Sequence, residues 1–324
     1  MKHDHWKRPV RAYLHTAARY LYDARRYLKY SGAVRPPAGR TEQHSYLMKL
    51  AHVIEKGLAL PQTRLNFGEA TVQQACELLL KDSTSRSTAH VMALNAIRSY
   101  VRFHEDRGAE PLAICREVLA RFGTADVPSV DSLYAMSRQD IVDAGGEAAI
   151  RFMRSRRSIR QFADRPVDRD KIRRAVMTAQ MAPSVCNRQS GRVHVIYDRE
   201  LMQKALSFQG GNRGFGDTFG ALAIVTSDLG SFLEPNERGQ AYVDGGLFAM
   251  MLMLGLHAQA LGSCPLNWSR NPLTDLQFRR AIPIPEAETV IMMIGIGELR
   301  DEFVVANSAR LPIEEVLNVI DTGK

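Results

Sequence analysis

Paired cysteines are missing from this sequence. Cys76, Cys115, Cys186 and Cys264 are scattered over 324 residues. That spacing excludes a disulfide scaffold and a zinc ribbon, and it fits a reducing, cytoplasmic setting. No run approaches the ~20 apolar residues of a membrane span; the longest stretch, 245–256, has the length of a buried helix. The first residues are charged and aromatic, unlike a secretory leader. No nucleophile–histidine–acid set and no His/Cys cluster with metal-ligand spacing is recognisable. A hydrolytic triad and metal catalysis therefore drop out. The glycine-rich stretch 210–216 is no dinucleotide fingerprint, because its spacing is wrong and it precedes a strand. Its glycines suit a lid or interface loop that admits close approach to a ligand.

Acidic charge is the scarcer kind. Lys and Arg number 43 against 35 Asp and Glu, a net charge of +8. Much of the excess lies in the first 40 residues: Lys2, Lys7, Arg8, Arg11, Arg19, Arg25, Arg26, Lys29, Arg35 and Arg40. Such a field meets an anionic surface or an acidic partner, or it is simply solvated. Within it Val10, Leu14, Ala17, Leu21, Ala24 and Leu28 alternate spacings of four and three, which predicts an amphipathic helix over 9–30. Tyr13, Tyr20 and Tyr27 border the stripe. The stripe is expected to dock on its own domain or on a sister subunit, with peripheral membrane contact as the alternative. Nucleic acid is disfavoured, since the aromatics follow helix spacing and form no stacking platform.

Further helices are predicted over 42–55, 71–80, 87–104 and 111–121, with a turn-rich stretch at 124–132 and another helix over 139–153. Between the first two of these, Glu55, Lys56 and Arg64 form an unusual mixture with glycine and Phe67, either a capped helix end or part of a ligand contact. The chain then changes character. Residues 193–197, 219–226 and 290–296 are apolar strand-like runs, and helices are predicted over 168–181 and 243–261. Strands mixed with helices make an α+β domain over 126–324, preceded by an all-helical extension over 1–125.

Chemistry concentrates between Arg154 and Gly191. Arg156, Arg157, Ser158 and Arg160 offer guanidinium forks and a hydroxyl, groups suited to phosphate. After a helix come Pro183, Ser184, Asn187 and Gln189, whose carboxamides can donate to and accept from a heterocycle edge. The order Arg156-Arg157-Ser158-Ile159-Arg160, then Ala182-Pro183-Ser184, then Asn187 and Gln189, resembles the nitroreductase family of flavoproteins. The apolar helix ending near Gly262, the strand 290–297 and Arg310-Leu311-Pro312 support that resemblance over roughly residues 150–320.

The resemblance implies a three-layer α/β/α sandwich and a homodimer, with the long apolar helix in the dimer interface. It implies FMN as cofactor, reduced by NADH or NADPH and reoxidised by a small organic acceptor. By the same resemblance Arg156, Ser158 and Arg310 bind the flavin phosphate, Arg160 lies near the pyrimidine end, and Asn187 bonds the ring. The loop Cys264, Pro265, Leu266 and Asn267 faces flavin N5. Ser308 stands where the family has a second basic residue, which leaves phosphate binding to Arg156 and Arg310. A flavin-binding partner or sensor without strong turnover is the alternative function.

Overall fold

Two apolar cores form, one in each half of the chain. The computed structural model describes residues 7–320 apart from 35, 38 and 123–129, with side chains from residue 12 onward. The expected boundary at 125/126 and most of the turn-rich stretch from Thr124 lie outside the described residues. So do Lys2, Arg35 and the side chains of Lys7, Arg8, Val10 and Arg11.

The first core belongs to a bundle of α2 (Arg40–Leu58), α3 (Glu69–Lys81), α4 (Thr88–Glu105) and α5 (Ala113–Phe122). On α2 the buried residues Leu47, Ala51, Ile54 and Leu58 recur at helical spacing. They meet Leu79 of α3, Leu94 and Ile97 of α4 and Val118 of α5. Each fully buried aliphatic side chain contributes about 1.5–3 kcal/mol of transfer free energy. Ser87 starts α4 by accepting the His90 N–H. The stretch after α2 is a structural turn. A Cβ on Gly57 would stand 2.0 Å from the Phe67 ring, so glycine there makes room for Phe67. Fully buried His104 accepts the Asn66 N–H at 2.9 Å through Nε2, which leaves Nδ1 to donate to the Tyr100 carbonyl at 2.8 Å.

The second half is built on four antiparallel strands in the order β1 (Gly191–Ile196), β2 (Ala221–Asp228), β4 (Glu288–Glu298), β3 (Leu261–Asn267). Alternate residues of β2 point to opposite faces. Ala223 and Val225 join α8 (Arg169–Ala179) and α10 (Gln240–Ala258) on one side. Leu222 and Ile224 join α9 (Arg199–Ser207) and α11 (Pro272–Ala281) on the other. The result is the expected α/β/α arrangement. A Cβ on Gly255 would lie 2.7 Å from the Ala175 carbonyl, so α8 and α10 are in backbone contact. By length and composition α10 could cross a membrane, but Ala249, Leu252 and Leu256 are fully buried on the sheet.

Several elements differ from expectation. Helix α10 ends at Ala258, and Ala260 (φ 55°) turns the chain into β3. Residues 264–267 are therefore an edge strand rather than a loop. The helix expected over 139–153 is broken at Gly145 into α6 (Arg138–Ala144) and α7 (Gly146–Ser155), which Gly146 opens at φ 78°. Helix α1 (Lys7–Tyr30) docks on its own chain, though not by the leucine stripe. Leu14, Leu21 and Leu28 are 66%, 70% and 50% exposed. Docking runs instead through Tyr22, whose hydroxyl donates to Asp275 at 2.6 Å, and through Arg26 and Tyr27, which donate to the carbonyls of Glu286, Glu288 and Glu234. A strand end and its turns present bare carbonyls, and side chains with apolar bodies and donor tips can satisfy them. Leucines cannot.

Candidate functional site

Beyond α7 the chain runs extended along the outer edge of β3. Ile159 donates its N–H to the Ser263 carbonyl at 2.9 Å, and Phe162 pairs with Leu299. Buried Ile159 and Phe162 pin this segment to the core, which fixes where its polar neighbours stand. Arg156 is half-buried, and its Nη1 is shielded from solvent with no hydrogen-bond acceptor. A buried guanidinium donor without a partner is costly, and an anion would satisfy it. Ser158 lies two residues on, half-buried. Arg157 is engaged locally, donating to the carbonyls of Arg154 and Arg156 at the C-terminus of α7.

Arg160 lies over the Phe215 ring at 5.7 Å, with its charge felt by Cys264. Burial pushes the Cys264 thiol up despite the nearby Arg160 and Arg156. That keeps it a neutral, buried side chain. His257, in the last turn of α10, sits 2.7 Å from Ser155 Oγ and against Phe152. Burial, then Arg156, lowers its pKa, so the imidazole ties α7 to α10 as a neutral group. Asn267, at the end of β3, is exposed, and its carbonyl accepts from the Gln209 carboxamide at 3.1 Å. Leu266 is buried and Pro265 half-buried in the same strand.

The second cluster is a strained loop. Cys186, Asn187 and Gln189 all have positive φ (49°, 53° and 50°), a conformation that non-glycine residues hold only when their surroundings enforce it. The enforcement is visible. Ser184 Oγ accepts the Gln189 N–H at 2.9 Å, and the buried Asp244 carboxylate accepts the Val185 N–H at 3.2 Å. Arg188 is buried, clasps Glu237 with both Nη atoms, and donates Nε to the Val185 carbonyl at 3.2 Å. Burial works against the Glu237 charge, but Arg188 and the Leu233 N–H prevail and hold its pKa below the usual carboxylate value. Helix α2 also packs on residues 185–187. Asn187 and Ser184 are half-buried, while Pro183 and Gln189 are exposed. Sequence reasoning missed Arg188, Glu237 and Asp244. The one available signal was an arginine between two carboxamides in a loop, with acids following at Glu234 and Glu237.

These two clusters do not meet within one chain. Asp244 anchors the loop at one end of α10, and His257 adjoins Arg156 at the other. Thirteen residues of helix separate them, about 20 Å at ~1.5 Å per residue. Arg310 is exposed in the C-terminal tail, and among the described residues its guanidinium bonds only the Ser308 carbonyl. Glu55 pairs with His52 at 3.6 Å in the bundle, and Lys56 is exposed beside them with its charge felt by His52, whereas Arg64 is exposed.

A model of the Nitroreductase family matches residues 153–211, the span holding both clusters. A protein of Archaeoglobus fulgidus, provisionally named an NADH dehydrogenase/NAD(P)H nitroreductase, is 34% identical over 166 residues, covering 48% of this chain and 88% of that relative. The chain belongs to the nitroreductase family. This membership makes it an oxidoreductase. Among solved structures, a protein of Parabacteroides distasonis with the same provisional name is similar over 55% of this chain and all of its own (TM-score 0.46, 17% identity). An FMN-dependent nitroreductase of Clostridium difficile covers 54% of this chain and 99% of its own (TM-score 0.44, 22% identity). The family match starts at residue 153, so the helical bundle lies outside it.

Proposed function

We propose that this nitroreductase-family chain is an FMN-dependent NAD(P)H oxidoreductase that works as a cytoplasmic homodimer on a small organic acceptor. The observation that carries this reading is Arg156 Nη1, buried without an acceptor beside Ser158 on a segment locked to β3. The unmet donor fits a flavin phosphate, with Arg156 and Ser158 as its holders and Arg310 brought in by the tail. Bound there, FMN would supply two-electron transfer between NADH or NADPH and the acceptor. Arg160 contributes a fixed positive charge near the ring, where negative charge develops on reduction. Neutral Cys264 and Leu266 keep water from the wall behind it.

The roughly 20 Å of α10 between the residues that adjoin the two clusters, Asp244 and His257, favours two copies over one. A mononucleotide held by both clusters draws Arg156 and Ser158 from one copy, and Ser184, Asn187 and Gln189 from the other. The open face of α10, with Tyr242, Val243, Leu247 and Met250 each at least 40% exposed, supplies apolar surface for that pairing.

The test is the visible spectrum of protein purified without added cofactor, repeated anaerobically with NADH and with NADPH. An oxidised-flavin spectrum that bleaches is expected, and Arg156→Gln should weaken FMN binding about 10- to 100-fold, the loss of a charged hydrogen bond. A flavin signal that neither nucleotide reduces would favour the partner or sensor role. Failure to take up FMN at excess would end the flavin reading.

A further inference from the structure

A cavity of about 240 Å³ opens where α1 crosses the end of β3. Its walls include Arg19, Tyr22 and Arg26 of α1, together with Trp268, Ser269 and Arg270, the three residues directly after Asn267. Positive charge in it exceeds negative charge, although Asp23 lies near enough to Arg26 to feel it. Arg26 donates to the carbonyls of Glu286 and Glu288, neutral acceptors that leave its charge without a carboxylate at ion-pair distance among the described residues. The side chains of Arg19 and Arg270 make no hydrogen bond or ion pair among the described residues, and Arg270 Nε is shielded from solvent with no acceptor. Of the two lining carboxylates, Asp275 is already engaged by Tyr22, Trp268 and an ion pair to Arg279 at 2.7 Å, which leaves Asp23 alone.

Three guanidinium groups lining the cavity with Asp23, which offsets part of the Arg26 charge, leave an excess of positive charge that suits an anion. The rings of Tyr22 and Trp268 add flat apolar wall. The volume falls below the ~300–1,000 Å³ of pockets for drug-sized ligands, which suits a single-ring molecule. The glycine-rich loop takes part as well: a Cβ on Gly210 would stand 3.0 Å from Arg270 Nη2, so its bare backbone lets the guanidinium lie there.

We propose that this cavity is the acceptor pocket of the enzyme and takes a small aromatic carboxylate, its anionic end held by Arg19 and Arg270 and its ring against Tyr22 and Trp268. The ring also bears a group that two electrons and two protons reduce, such as a nitro group going to nitroso and water; benzoate is its non-reducible analogue. The acceptor role rests on the flavin reading above, because it is the family resemblance that sets Asn267 beside the flavin. The anion site stands on the cavity alone. Helix α1 thereby becomes a wall of the substrate pocket, which selects acceptors by charge.

Isothermal titration calorimetry of the full chain with benzoate, and with benzamide as its uncharged shape match, tests the site. Benzoate should bind at least about tenfold tighter than benzamide, and Arg19→Gln and Arg270→Gln should each weaken it about tenfold, as a lost charge-assisted contact does. Arg213→Gln, which removes an exposed charge on the same loop outside the cavity, should leave affinity unchanged. Equal affinity for the two probes, or indifference to Arg270→Gln, overturns the site. In FMN-loaded protein benzoate should also shift the flavin band; calorimetric binding without that shift overturns the acceptor role. If the protein takes up no FMN yet binds benzoate through Arg270, the flavin reading fails and the anion site holds.

Discussion

The helical bundle and the periphery of the second half treat their apolar residues in opposite ways. In the bundle Leu79, Leu94, Ile97 and Tyr100 are at most 1% exposed, and the core closes within one chain. Helices α6 and α7 bury no residue, and the tail beyond Asp301 carries Val304, Leu317 and Ile320 at 74%, 60% and 93% exposure. Apolar surface on that scale marks contact with another molecule. The bundle is thus closed on itself, while α6, α7 and the tail leave apolar surface that the described residues do not cover. Under the two-copy reading proposed above, a second copy would cover this surface.

Mutations at matched aliphatic positions should break this contrast if it is wrong. Leu94→Ala should cost about 2–5 kcal/mol in urea unfolding, the expense of a cavity in a closed core. Ile141→Ala, at a residue 62% exposed, should change monomer stability by less than ~0.5 kcal/mol. Ile141→Asp should nonetheless lower the dimer fraction in sedimentation. Similar unfolding costs at the two positions, or an unaltered dimer with Ile141→Asp, would erase the distinction.

A smaller effect sharpens it, because the bundle burdens one of its carboxyls with burial. Burial pushes Glu55 up to about 7, and burial followed by the Lys56 charge lowers His52, so at pH 7 the neighbouring imidazole is neutral and offsets little. The folded chain therefore keeps the Glu55 proton at pH values where the unfolded chain, with a pKa near ~4.3, has lost it. Stability from this group is full below about pH 4 and declines as pH rises through about 7. Glu55→Gln should stabilise the protein at pH 8 by on the order of 1–2 kcal/mol and do little at pH 4. A pH-independent difference between the two proteins would show that the carboxyl is solvated.

Much of the architecture was legible in the chain because periodicity reports burial directly. The helix predicted over 168–181 forms as α8, with Ile172, Ala175 and Ala179 on its buried face and Val176 half-buried beside them. The near-continuous apolar run of β2 is buried on both faces. What failed were elements whose stability comes from partners distant in sequence. Strand β3 reads as a loop because Gly262, Ser263 and Pro265 have little strand propensity; its pairing with β4 overrides that preference. The leucine stripe of α1 predicted a helix correctly, but the face that meets its own chain is a different one, since the acceptors for Tyr22 and Arg26 are more than 250 residues away. In the candidate site, Arg156 and Asn187 could be named from local pattern. That Arg188 and Glu237 hold the Asn187 loop could not, because their pairing exists only in three dimensions.

Helix α10 acts as a spacer between Arg156 and Asn187, and this has a genetic corollary. Under the two-copy reading, Arg156→Ala and Asn187→Ala inactivate different contributions to each centre. A dimer formed from one chain of each type assembles one centre with both lesions and one with neither. Two inactive variants, co-expressed, should then complement each other to about a quarter of the parent activity under random pairing. Arg156→Ala with Ser158→Ala, which share a cluster, should not complement at all.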